Sequence, residues 1–112
     1  MKVKNMDEKN IFAGTGRSVN DDAYEAGKEA ARIAVEKCEQ KPEFGLVFCS
    51  GGKYGQDHDT MQNLVNGAHE EFTKANPDIQ WIGCTTAGEI STEGFSKNSC
   101  VAMAIHSEYF KF

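Results

Sequence analysis

What the chain lacks narrows it first. No apolar run approaches the ~20 residues that span a bilayer. The opening Met1-Lys2-Val3-Lys4-Asn5-Met6-Asp7-Glu8-Lys9 has no apolar stretch after its basic start, so neither a membrane span nor a signal peptide is expected. The four cysteines, Cys38, Cys49, Cys84 and Cys100, form no C-x-x-C pair. Three of them stand in or beside apolar runs, which reads as buried, reduced thiols in a cytoplasmic protein. Basic charge is short as well: 12 lysines and arginines against 17 acidic residues leave a net charge of −5. Phosphate backbones and anionic lipids attract the opposite sign, so neither nucleic acid nor a membrane is expected as a partner. There is no internal repeat and no low-complexity tract.

What is present is the composition of an ordinary globular domain, 112 residues with 39% hydrophobic and 26% charged, enough to bury a core without disulfides or metal. Residues 1–10 read as a polar lead-in to a single domain over 11–112. Ile11–Gly16 is a short strand whose small residues suit close approach of another backbone. Asn20, Asp21 and Asp22 offer N-cap oxygens for a helix running to about Cys38. Its small-residue stripe of Ala23, Ala26, Gly27, Ala30, Ala31 and Ala34 is suited to lie close against a sheet. After Pro42, Phe44–Ser50 is apolar on both faces, as a central parallel strand is. A second helix begins near Asp57–Thr60 and ends before Asn76-Pro77, with Met61, Leu64, Val65, Ala68, Phe72 and Ala75 on its buried stripe. Ile79–Gly83 is a third strand. Cys84–Asn98 has little regular pattern, and Ser99–His106 is a fourth strand that returns antiparallel at the sheet edge. Tyr109–Phe112 begins a fifth. The expected fold is therefore α/β: a mixed sheet of four or five strands in the order β-α-β-α-β-β, with two packed helices.

The richest stretch in chemistry is Gly83-Cys84-Thr85-Thr86-Ala87-Gly88-Glu89-Ile90, at the carboxyl end of a parallel strand, where open α/β sheets bind ligands. Hydroxyls and backbone N–H groups hold a carboxylate or phosphate, and a glutamate pairs with an ammonium. The alternative is a structural turn whose polar groups satisfy each other. Ser50-Gly51-Gly52-Lys53-Tyr54-Gly55 ends the neighbouring strand and lines the same crevice, with Lys53 for an anion and Tyr54 for a flat group. Its alternative is a flexible connection capping the second helix. The candidate ligand-binding residues are thus Ser50, Gly51, Gly52, Cys84, Thr85, Thr86, Gly88 and Glu89; Trp81 reads as packed between sheet and helix, three residues before Cys84, where its edge could also reach the pocket.

Other motifs fall short. Gly14-Thr15-Gly16 has Val19 where a dinucleotide fold needs its third glycine, and the Ser50 cluster lacks P-loop order. Asp57-His58-Asp59 diverges at a helix start with no second cluster, so no metal is expected. Cys84 lacks a base in any placed pattern, since none of His58, His69 and His106 is set beside it, and it reads as buried and inert. No cofactor and no catalytic residue is assigned.

Phe48-Cys49-Ser50, the run Ile82–Ile90, Gly94-Phe95 and Asn98–Ile105 together resemble the FIST N-terminal domain, whose G-C-[ST]-T-A-G-E-I block precedes a Ser-Val-rich strand. The alanine-rich helix and Ala13-Gly14-Thr15-Gly16 look like that family's first helix and strand, so the likeness runs from Ile11 onward. The resemblance implies a sensory module of signalling proteins, proposed to bind small ligands such as amino acids. The family domain is longer and has a C-terminal partner. This chain is accordingly expected to be a fragment, or a minimal version that pairs its open edge. Expected partners are a small-molecule ligand, a signalling domain or protein, and a second copy or the rest of a longer chain. Two other functions remain open: an enzyme working on a small metabolite through Cys84 or Glu89, and a scaffold using an exposed edge strand at Ser99–Phe112.

Overall fold

Two aspartates start the two long helices. Asp22 accepts the Glu25 N–H at 3.0 Å and Asp57 accepts the Thr60 N–H at 2.8 Å, each satisfying a donor that the first helical turn leaves unpaired. The computed structural model describes residues 9–91 and 94–109. Within them the order is β1 (Ile11–Ser18), α1 (Ala23–Cys38), β2 (Phe44–Ser50), a short α2 (Gly51–Tyr54), α3 (His58–Ala75), β3 (Gln80–Thr86), β4 (Glu89–Ser91), β5 (Gly94–Ser96) and β6 (Cys100–Ser107). The main sheet is β1-β6-β2-β3, and β4 and β5 pair apart from it. β2 and β3 run parallel, while β6 is antiparallel to both β1 and β2. The mixed α/β fold expected from the sequence is what forms.

Both long helices lie on one face. Register places Gly14, Gly45 and Ala104 side by side across three strands. Gly14 lies under α1, with its missing Cβ position 2.3 Å from the Ala34 carbonyl, and Gly45 lies under Phe72 of α3. The small residues of α1 explain the closeness: Ala26, Ala30, Ala31 and Ala34 are wholly buried, and nothing on that face holds the helix off the sheet. The helices also touch each other through glycine. A Cβ on Gly27 would fall 2.1 Å from the Leu64 carbonyl, and one on Gly67 would fall 2.1 Å from the Tyr24 carbonyl. The opposite face of the sheet is partly bare, with Phe48 37% and Ile82 63% exposed.

Three expectations are corrected. β6 is not an edge strand but stands between β1 and β2. Its two apolar faces, Val101, Met103 and Ile105 on one side and Ala102 and Ala104 on the other, are what a central strand requires. The edge-strand scaffold at Ser99–Phe112 therefore has no basis in its strand portion. Cys84–Asn98 is not irregular throughout: β3 runs on to Thr86, and the three-residue strands β4 and β5 pair Glu89 with Ser96 and Ser91 with Gly94, too short to leave a periodic trace. Tyr109 is exposed, and the rest of the expected fifth strand lies outside the described residues.

Candidate functional site

β2 and β3 end side by side, Ser50 next to Thr86, and the candidate residues divide there into two groups. One group is internal. Glu89 is 1% exposed. Its Oε1 accepts from the Ser99 N–H at 3.0 Å and the Ser99 hydroxyl at 2.6 Å, and its Oε2 accepts from the Thr86 hydroxyl at 2.6 Å. The Ser50 N–H donates in turn to the Ser99 carbonyl at 2.9 Å. A buried carboxylate held by three donors needs no counter-cation, so this network anchors the chain leaving β3 to the start of β6 and the end of β2. Gly88 is half-buried beside it.

The other group is open. Gly51 stands over Thr85, with its Cβ position 3.3 Å from the threonine Cβ, and Cys84 and Thr85 are exposed on β3. They line one end of a cavity of about 470 Å3 between α3 and β3, walled by Val47, Cys49, Met61, Leu64, Val65, Trp81, Ile82 and Gly83. Trp81 forms the lower wall. Its Nε1 donates to His69 Nδ1 at 3.1 Å, and its ring meets Phe72 at 5.5 Å between centroids. The lining is mostly apolar with the Thr85 residue at one end, a surface suited to the apolar part of a small molecule.

The sequence reading of the α2 turn is corrected on two side chains. Tyr54 is fully buried, its hydroxyl donating to the Asn20 carbonyl at 2.6 Å. Lys53 Nζ donates to the Val19 carbonyl at 2.7 Å and pairs with Asp21 at 3.0 Å. Both clamp the loop between β1 and α1 rather than facing the crevice. Ser50 caps α2 by accepting the Lys53 N–H at 3.1 Å. Gly52 lies within that turn.

The thiols separate by burial. Cys38, Cys49 and Cys100 are buried and Cys84 is exposed, against the expectation that Cys84 is buried. The reason is topological: among the described residues Cys84 belongs to a strand with a neighbour on one side only. Burial, then the charge of Glu89 nearby, pushes the Cys49 thiol up to about 11. For Cys100 burial is again the first cause of a rise, followed by Cys49 and Glu89. The α3 wall went unread as a site because Met61, Leu64 and Val65 have the spacing of a core stripe. The available signal was Gly83, a residue with no side chain in the cavity lining.

The fold and this geometry define a one-sided α/β module with an apolar cavity at its sheet edge. The chain belongs to the FIST N domain family, whose model matches residues 43–112, a family of sensory domains in signal transduction. No curated protein matches the chain. Among solved structures it is similar to thiamine-monophosphate kinase from Stenotrophomonas maltophilia K279a, at TM-score 0.58 and 14% identity over 94% of this chain and 34% of the kinase. It also resembles TubZ of Bacillus thuringiensis serovar israelensis in GDP-form protofilaments, at TM-score 0.47 and 15% identity over 87% of this chain and 25% of TubZ. This chain thus spans about a third of the kinase's length, and at that identity the likeness is one of fold. Among the described residues no helix is long and apolar enough to cross a membrane, and no cluster of metal-binding side chains forms.

Proposed function

We propose that this chain is the ligand-binding part of a sensory module, and that its ligand is an amino acid or similar small zwitterion with an apolar side chain. The observation that carries this is the cavity of about 470 Å3 between α3 and β3, within the range of small-molecule sites. Its walls take the apolar side chain. The charged end stays at the rim, where the Thr85 hydroxyl is exposed beside Gly51. Glu89 and Thr86 hold the rim in place from inside, the Thr86 hydroxyl donating to Glu89 and Glu89 accepting in turn from Ser99. Ligand binding favours one setting of β3 against α3, and a signalling partner in the cytoplasm reads that setting.

The test is a titration followed by Trp81 fluorescence, since the only tryptophan lines the cavity. Leucine, methionine and phenylalanine are expected to bind, and aspartate and lysine to fail. Val65→Phe fills the cavity and abolishes binding while the melting temperature stays within a few degrees. Thr85→Val weakens binding about tenfold, the worth of one hydrogen bond. Binding that survives Val65→Phe, or equal binding of the charged amino acids, places the ligand elsewhere. A second reading, an enzyme using the exposed Cys84 thiol, predicts turnover that Cys84→Ser removes. The sensory reading predicts that ligand binding survives that change.

A further inference from the structure

β3 has a ladder partner, β2, on one side only among the described residues, yet it has the composition of an interior strand. Gln80-Trp81-Ile82-Gly83-Cys84-Thr85-Thr86 carries no charge, no proline and no lysine, the devices by which exposed edges are kept from pairing. The other edge strand, β1, carries Arg17. Five of the seven β3 residues are exposed, with Ile82 at 63%. Residues Trp81–Thr85 of this same strand line the cavity, so it lies at this edge of the sheet.

We propose that β3 pairs antiparallel with β3 of a second copy of the chain, across a two-fold axis at Gly83, and that this pairing adds a wall to the cavity. Gly83 is the midpoint of the strand, with three residues on each side, so full overlap puts it on the axis. Each cross-strand pair then matches. Trp81 lies opposite Thr85 of the second copy on the helix face, an aromatic with a β-branched residue. Ile82 lies opposite Cys84 of the second copy on the bare face, apolar with apolar, and Gln80 meets Thr86. The two sheets become one, and the second copy's Trp81 and Thr85 stand beside the cavity. Each site is thereby completed by a hydroxyl and an aromatic ring from its neighbour, and two copies of one ligand are bound in linked sites. The proposal deepens the cavity reading above and rests on it for the role of the wall.

Sedimentation and disulfide trapping test it. The wild-type chain is expected to sediment at twice its 12.3 kDa mass, and Ile82→Lys, which sets a charge into the pairing, is expected to sediment as a monomer with unchanged far-ultraviolet circular dichroism. Ile82→Cys places a thiol opposite Cys84 of the second copy, where Cβ atoms stand ~4.5–5.5 Å apart in a paired strand. Oxidation by diamide, two thiols yielding a disulfide and two protons with the electrons passing to diamide, is expected to give a covalent dimer. Adding Cys84→Ser removes that dimer, and Ala13→Cys on the β1 edge gives none. A wild-type monomer at high concentration overturns the pairing, as does a dimer that survives Ile82→Lys without the Ile82→Cys trap. If Ile82→Lys fails to fold, the trap alone decides. A monomer that still binds the apolar amino acids defeats the dimer and leaves the cavity reading standing, while a trapped dimer that binds none of them does the reverse.

Discussion

The two halves of the sheet carry one helix each on the same face, and they are built to opposite ends. On one side β1 and β6 receive α1 through Gly14, Gly16 and a stripe of buried alanines, with no room for an added methyl. On the other, β2 and β3 meet α3 through large side chains, Phe72 and Trp81 low down, and higher up they part to leave the cavity. Close packing by small residues fixes position but leaves no space. Packing by a few large ones seals one end of an element and leaves the other accessible. The difference makes the α1 half tightly packed and leaves the open space in the α3 half.

The largest expected effect breaks the closed half. A Cβ on Gly16 would fall 2.1 Å from the Ala30 carbonyl, whereas one on Gly52 meets nothing closer than 3.9 Å. Gly16→Val is expected to cost more than the ~3 kcal/mol typical of severe overpacking and to leave little folded protein. Gly52→Ala, in the α2 turn, is expected to change stability by less than about 1 kcal/mol. Circular dichroism during thermal unfolding separates them.

Next comes the hinge between the halves. Glu89→Ala leaves the Ser99 N–H, the Ser99 hydroxyl and the Thr86 hydroxyl without their acceptor. A loss of about 3 kcal/mol in urea unfolding is expected, from buried donors left unsatisfied. Glu89→Gln keeps one acceptor oxygen and is expected to lose less. A variant as stable as the wild type would show that water enters the network freely.

Thiol labelling sharpens the comparison without altering the fold. Cys84 on the open edge is expected to react first with a disulfide reagent at neutral pH, to one equivalent, and Cys38, Cys49 and Cys100 only on unfolding. Cys49, with its thiol pushed up to about 11, also stays protonated at neutral pH, and a thiol is a poor nucleophile. Early labelling of Cys49 would mean that the cavity opens into the core.

The smallest effect is at the start of α3. The Thr60 N–H, then the Thr60 hydroxyl, hold the Asp57 carboxyl below its ordinary value. A carboxyl lowered on folding stabilises the native state above its unfolded pKa, and that contribution is lost as the pH falls through the folded value. Asp57→Ala is therefore expected to lower the melting temperature slightly at pH 7 and not at all at the acid end, where wild type and variant converge. Because Asp57 is fully solvated, salt should shrink the gap.

Much of this was legible in the chain. The helices begin at the aspartates that cap them, and β2 spans the apolar run between Pro42 and Gly51. Composition placed β6 poorly, since apolar faces on both sides fit either an interior strand or a sticky edge, and only its register against β1 and β2 decides. The site was half legible. The G-C-T-T-A-G-E-I block starts along the cavity at Gly83, Cys84 and Thr85, but its glutamate and second threonine bond each other, and no local pattern distinguishes a carboxylate facing inward from one facing a ligand. The cavity wall was hidden for a different reason: Met61, Leu64 and Val65 have core spacing, and what makes them a wall is that they share the cavity lining with Gly83 and its strand, a non-local fact.

The crossing of α1 and α3 at Gly27 and Gly67 has a mechanical meaning. Packed helices commonly shift by shear, with interlocked side chains changing partners in small steps. Here main chain meets main chain at both glycines, and around them Tyr24 and Lys28 of α1 reach Glu70 and Glu71 of α3. Sliding either helix brings a larger residue against a carbonyl, so translation is blocked and tilting about the contact is the soft motion. α3 is then a lever with its fulcrum at Gly67. Met61 lies ~9 Å to one side and Ala75 ~12 Å to the other, at 1.5 Å per residue. Were a ligand to enter beside Met61 as proposed and tilt α3 about that point, the Ala75 end would move by a slightly larger throw in the opposite sense, so a small displacement in the cavity would arrive there enlarged and reversed in sign.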